Sequence, residues 1–262
     1  MRARSHQAKK TEALRRLAID GFRLVEGGHN TFALLEFDVT GLRAALRARR
    51  REGSGGSLFA FFVKAIAASL ARYPAFNAMV DRRRTTIFSG VDVNVPIELP
   101  GAGANKSYVI RDADTKSLKA IHDEIEAART RRGDALGFVG SERAARVLAA
   151  LPAWLVLPFF RLLLRDHGRV RRLSGTVFVT SVAMSEGLTG FILPYIGGPK
   201  ATSFAVGGTV KKPAVVGGAV EIREFISFTA AFNHDLIDGA PAARFIAELR
   251  RVVERDYAAV IE

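Results

Sequence analysis

The sequence predicts an α/β domain. Three observations carry this reading: helical spacing and strand alternation occur in the same chain, strand-like runs crowd into its second half between Gly- and Pro-containing turns, and no repeat or linker divides the 262 residues. An apolar content of 48% suffices for a core at that length. Residues 1–29 read as an N-terminal arm and first helix, and 30–262 as one domain carrying an apolar insert at about 141–170.

Thr31 to Val39 mixes β-branched and aromatic residues and stops at Thr40-Gly41, so it reads as a strand, with Asp38 or Thr40 capping a basic helix from Leu42 to Arg51. After the Gly- and Ser-rich loop 53–57, Leu58, Phe61, Phe62, Ala65, Ile66, Ser69 and Leu70 form one helical stripe. Ser57 stands at its N-cap and Tyr73-Pro74 at its end. Thr85 to Leu99 alternates as a strand, with Pro96 marking an edge or a bend. Asp114 to Arg131 reads as a polar helix with a seam of Leu118, Ile121 and Ile125. Beyond the insert, Thr176–Val182, Thr202–Val210, Ala214–Val216 and Ala219–Phe232 read as successive strands. Ala240 to Val253 closes the chain as a helix, with Pro241 in its first turn and Phe245, Ile246, Leu249, Val252 and Val253 on one face.

Composition removes several chemistries. With no cysteine there is no disulfide, thiolate metal site, iron–sulfur cluster or Cys nucleophile, which suits a reducing, cytoplasmic setting. The five histidines show no i, i+4 pair and no metalloprotease glutamate, so no metal centre is expected. The +13 charge (39 Lys+Arg against 26 Asp+Glu) favours anionic partners. The basic helices at 42–51 and 165–172 lack interleaved aromatics, so nucleic acid is not the expected partner. Val147 to Leu164 is strongly apolar, but Pro152, Pro158 and Arg161 interrupt it. It reads as a packed insert or as an interfacial helix giving peripheral membrane contact, with Trp154, Phe159 and Phe160 facing in, rather than as a spanning segment.

His234 is the candidate for chemistry. It lies in Phe-Asn-His-Asp-Leu-Ile-Asp-Gly, 232–239, where an apolar strand passes into the last helix. An imidazole at such a junction is held by the backbone yet can face a cleft, and it is suited to take a proton from a thiol or hydroxyl near neutrality. The same residues also read as an ordinary strand-to-helix corner with Asp238 as a cap. Thr176, Thr180 and Ser181, near a strand end, can donate to a developing oxyanion or merely satisfy backbone groups. The Gly-rich pieces 187–190 and 207–208 match neither a P-loop nor a dinucleotide fingerprint.

Taken together, Glu36-Phe-Asp-Val39, Ala71-Arg-Tyr-Pro-Ala-Phe-Asn77, Val91-Asp-Val-Asn-Val95, Ile110 to Leu118, Gly175 to Val182, Ala205-Val-Gly-Gly208 and His234 to Phe245 occur in an order that resembles a known family. It is the catalytic domain of the dihydrolipoamide acyltransferases, the E2 components of 2-oxoacid dehydrogenase complexes, and more distantly chloramphenicol acetyltransferase. The resemblance runs from about Asn30 to Val253, broken by the insert, and makes 30–262 an acyltransferase catalytic domain. It implies a two-layer sandwich of the chloramphenicol acetyltransferase-like type, a mixed sheet with helices on one face, assembled as a homotrimer with active sites between subunits.

It further implies that His234 is the general base of a His-x-x-x-Asp-Gly signature, that Asp238 supports the site, and that Thr180 of a neighbouring subunit steadies the tetrahedral intermediate. Ser181 and Asn233 are expected to bind substrate. Coenzyme A enters as a substrate, as acyl-CoA, and acyl transfer is direct. The sequence departs from the family at Asn233-His234-Asp235, where Asp-His-Arg is usual, and at Thr180-Ser181-Val182-Ala183, where Ser-Asn-x-Gly is usual. It also departs at Ala104 to Val109, which replaces Gly-Leu-x-x-Pro-Val. An Asp235 carboxylate meeting the His234 ring would raise the imidazole's pKa. No lipoyl attachment site or lipoyl domain is found in the sequence. Three readings are therefore kept: a stand-alone acyltransferase, the core of a dehydrogenase complex served by a separate lipoyl protein, and a degenerate, non-catalytic scaffold at a membrane surface.

Overall fold

A computed structural model of the chain describes residues 13–23, 28–97, 106–130, 147–182 and 189–261. The arm Met1–Lys10 and the segment Ala104-Asn105 lie outside them. Six strands form one mixed sheet: β1 (Asn30–Asp38), β8 (Ala219–Asn233), β7 (Thr202–Val216), β6 (Val177–Ser181), β4 (Val93–Ile97) and β5 (Lys106–Ile110), in that spatial order. β6 runs parallel to both neighbours, and the other pairings are antiparallel. A separate pair is made by β2 (Ala78–Val80) and β3 (Thr85–Ile87).

The core is a seam of phenylalanines between the sheet and its helices. Along β8, Ile226, Phe228, Ala230 and Phe232 turn inward, and Phe204 and Val206 of β7 join them. They meet α2 (Thr40–Arg51), α3 (Leu58–Arg72), α4 (Leu118–Thr130) and α7 (Gly239–Glu254). Phe76 stacks on Phe245 at 4.8 Å, and Phe204 on Phe228 at 5.9 Å. The seven expected stripe positions of α3 all lie against the domain, but Ala60, Val63 and Ala67 are buried too, because α4 and α7 flank the helix. Ser57 Oγ accepts from the Ala60 amide at 3.1 Å, which fixes the start of α3 as its sequence requires.

Three expected elements differ. The run 85–99 does not form one strand: Asn77 Nδ2 donates to the Phe88 and Gly90 carbonyls and breaks it, so β3 pairs with β2 while β4 enters the main sheet. Pro96 lies past Val93 and Asn94, the β4 residues that pair with β6, where only β5 is its neighbour. The Lys-Pro sequence at 212–213 is no turn. Strand β7 continues through Pro213 because only β8 flanks it there, and the reversal falls at Gly217 (φ 58°) and Gly218 (φ 87°). Two consecutive positive φ values in a two-residue loop match the twist of paired strands. Strand β5 was not anticipated.

The described part of the insert is mainly helical. α5 (Ala153–Arg165) and α6 (His167–Ser174) follow one another, and Val156, Phe160 and Leu163 pack with Leu17 of α1 (Ala13–Arg23) in a cluster of their own. Trp154 and Phe159 point away from the domain, while Phe160, expected on the same face of an interfacial helix, packs inside the cluster instead. α8 (Ala258–Ile261) ends the chain's described part.

Candidate active site

Among the described residues, helices cover one face of the sheet. Alternation along β6, β7 and β8 sends Val177, Val179, Phe204, Phe228 and Phe232 to the helices. It therefore sends Phe178, Thr180, Ser203, Ser227, Thr229 and Asn233 to the opposite face. That face is rich in small polar side chains, and the buried Thr229 hydroxyl has no hydrogen-bond partner among the described residues. By the same alternation Thr180 and Ser181 project to opposite sides of the sheet, so the two do not line one surface.

His234 stands just past the end of β8, half exposed, with Nδ1 3.9 Å from Asp238 Oδ1. The corner that holds it is heavily tied. The His234 amide donates to the His29 carbonyl at 2.6 Å, and the Asn233 amide to the Ala201 carbonyl at 2.9 Å. Asn233 is buried, and its Oδ1 accepts from the Asp235 amide at 3.0 Å and shapes the turn. Asp238 occupies the N-cap position of α7 without making a side-chain cap, and its carboxylate is 84% exposed beside the imidazole. The capping account of Asp238 is thereby set aside.

Asp235 does not meet the catalytic candidate. Its Oδ1 lies 2.8 Å from Nδ1 of His29, a residue that no motif marks out. The two are 206 positions apart and meet only because Asn30 pairs with Asn233 across β1 and β8. No short-range signal could have found that contact.

The strand carrying Thr180 is anchored at its base. Asp92, buried just before β4, accepts from Arg171 Nε at 2.8 Å, Arg111 Nη1 at 3.0 Å and the Asp112 amide at 3.0 Å. Burial pushes its carboxyl up, but these bonds outweigh burial and hold it below the usual carboxylate range. The Asp92 carbonyl accepts from the Thr176 amide at 2.7 Å, and Gly175 reaches φ 65° with no room for a Cβ, which would fall 2.5 Å from that oxygen. Nearby, Lys200 is fully buried with Nζ donating to the Ser174 carbonyl at 2.6 Å, and burial lowers its pKa to about 7.

Registers locate the two key side chains relative to one another. Thr180 lies opposite Ala205, and Ala205 opposite Thr229. His234 is five residues beyond Thr229, so the two are separated by about 16 Å along the strands and two strand spacings, roughly 10 Å, across them. One chain does not bring His234 and Thr180 together.

This layout, a mixed six-stranded sheet with helices on one face, is a fold with solved counterparts. A solved chloramphenicol acetyltransferase shares the fold, with a TM-score of 0.51 at 12% identity, covering 91% of this chain and 95% of its own. A probable dihydrolipoamide acetyltransferase from Listeria monocytogenes superposes with a TM-score of 0.71 at 19% identity, over 98% of both chains. The profile described as 2-oxoacid dehydrogenases acyltransferase (catalytic domain) matches residues 31–135 and 171–261, and the chain belongs to that family. The unmatched stretch between the two blocks contains the apolar insert.

Among curated relatives, the lipoamide acyltransferase component of the branched-chain alpha-keto acid dehydrogenase complex of Pseudomonas aeruginosa is 28% identical over 230 residues, 84% of this chain and 45% of its own length. The dihydrolipoyllysine-residue acetyltransferase component of the pyruvate dehydrogenase complex of Mycoplasma pneumoniae is 28% identical over 198 residues, 76% of this chain and 41% of its own. The chain thus spans about half the length of the curated relatives it matches, or less.

Proposed function

We propose that the protein is a cytoplasmic acyltransferase that moves an acyl group directly between coenzyme A and a thiol acceptor. The observation that carries this is the position of His234: half exposed on a corner braced by three backbone-directed bonds, with the Asp238 carboxylate beside it. In the reaction His234 removes the proton of the attacking thiol, and the thiolate adds to the thioester carbonyl. The oxyanion accepts a hydrogen bond from Thr180, and as the intermediate collapses the departing thiolate regains the proton from the imidazolium. Atoms balance without an acyl-enzyme, which suits a chain without cysteine. Since Thr180 lies far from His234 within one chain, the oxyanion donor comes from a second copy, and a homotrimer supplies three equivalent sites. The relatives named as components of dehydrogenase complexes favour a dihydrolipoyl group as the acceptor.

The test is acyl exchange between acetyl-CoA and dihydrolipoamide. His234→Ala abolishes turnover, and Thr180→Ala lowers kcat about 10²–10³-fold, the usual loss of an oxyanion donor. Mixing the two inactive variants under subunit exchange restores part of the activity, because mixed trimers contain sites with both residues intact. Equal turnover of wild type and His234→Ala refutes the assignment, and failure of the mixture to recover activity refutes the shared site.

A further inference from the structure

We propose that the outer face of α5, with an arginine cluster that folding gathers beside it, docks the protein flat on a bilayer surface containing anionic lipid. This is independent of acyl transfer.

The helix has two apolar faces. Val156, Phe160 and Leu163 are buried against α1, while Trp154, Leu155, Phe159 and Leu162 point away from the domain, Trp154 with 71% and Leu162 with 66% of its surface in water. At about 100° per residue these four fall on one side of the helix, with Arg161 and Arg165 exposed along one border. A soluble domain has no reason to keep such a stripe bare. The family profile passes over these residues, so the stripe belongs to this chain's insert and not to the shared catalytic scaffold.

Charge decides what covers it. The β2–β3 turn, distant in sequence, reaches the end of α5, where Arg84 Nη2 donates to the Arg165 carbonyl and His167 Nδ1 lies 2.8 Å from Thr86 Oγ1. Arg82, Arg83, Arg84, Arg161, Arg165, Arg169 and Arg172 are thereby gathered near one corner, all exposed, against the acids Asp81 and Asp166 that pair with Arg84 and Arg169. An apolar stripe bordered by a basic cluster of this size matches an acidic lipid interface, where side chains enter the headgroup layer and each arginine adds attraction. A second copy fits poorly, since pressing two such faces together opposes like charges. Among the described residues no helix is long and apolar enough to cross a membrane, so the contact is interfacial.

Trp154 is the chain's one tryptophan, so its emission reports on this face alone. The full chain is mixed with vesicles of phosphatidylcholine, with or without about 30 mol% phosphatidylglycerol, a composition that sets the surface potential. The expected result is a blue shift and flotation with the anionic vesicles only, both reversed by about 0.3 M salt. Arg161→Gln with Arg165→Gln lowers partitioning about thirty-fold, at about 1 kcal/mol per arginine. Leu162→Ser also weakens binding while melting like wild type, because its side chain is outside the packed cluster. Absence of the shift, or equal binding to neutral vesicles, overturns the proposal. So does a blue shift on raising protein concentration without lipid, which assigns the face to a second copy, or the same shift with soluble polyglutamate, which assigns it to an acidic protein.

Discussion

His29 and Asp235 meet across the first two strands of the sheet, next to His234 in the chain. Because His29 also receives the His234 amide through its carbonyl, the pair steadies the backbone that carries the imidazole. His29→Ala and Asp235→Ala are each expected to lower kcat for acyl transfer several-fold with little change in KM, and the double variant to be no worse than either. A kinetic double-mutant cycle measures this. Lys200 gives a second residue-level prediction. Its amine is lowered to about 7 in the fold from the ordinary 10.5, so between these values the unfolded chain binds a proton that the native one does not. Stability therefore rises with pH across that window. Denaturant titrations from pH 7 to 10 should show the slope in wild type and its loss in Lys200→Met.

Among the elements, β6 is the one whose placement matters most, because it carries Thr180. It is located from below by Asp92, which joins β4, the Arg111 end of β5, and Arg171 of α6. Asp92→Ala removes the buried carboxylate shared by Arg111, which keeps the Arg171 and Arg172 carbonyls, and Arg171, which keeps Asp112 at 3.6 Å. Since both guanidinium groups are partly in water, the expected loss is roughly 2–3 kcal/mol, read from chemical denaturation. The register shift between Val206 and Thr209 is a β-bulge, and it gives the Gly207-Gly208 pair a structural use. Phe245 of α7 lies against Phe76, Phe204 and Phe232, and Phe245→Ala should cost about 3–5 kcal/mol, since that packed seam cannot close over the void.

At the scale of the molecule, the β7–β8 hairpin stands open in a single chain, whereas Ser203, Ser227 and Thr229 on the face away from the helices are buried. The hairpin runs past β1 and β6 with Val215, Val220 and Ile222 exposed, and Phe32 and Leu34 are exposed on β1. Bare apolar strand surface of this kind calls for a partner copy. Sedimentation should show a trimer for wild type. Val220→Asp with Ile222→Asp should shift the population toward smaller species and reduce activity in proportion, as the proposed shared site requires.

Local pattern by itself determined much of the fold. Ser57 and Tyr73-Pro74 bracket α3, the Leu118, Ile121 and Ile125 seam marks α4, and His234 was singled out from the strand-to-helix change around it. These features rest on neighbours within a few residues, and backbone geometry makes such neighbours legible. Elsewhere distant partners decided the outcome. Asn77 split the run at 85–99, the absence of a second neighbour let Pro213 stay in β7, and the β1–β8 register joined His29 to Asp235. Whether Thr180 and Ser181 share a face, how Asp92 is satisfied while buried, and which side of α5 meets water were likewise settled only by tertiary packing. The physical reason is that burial and hydrogen-bond satisfaction are properties of space, and residues remote along the chain supply them.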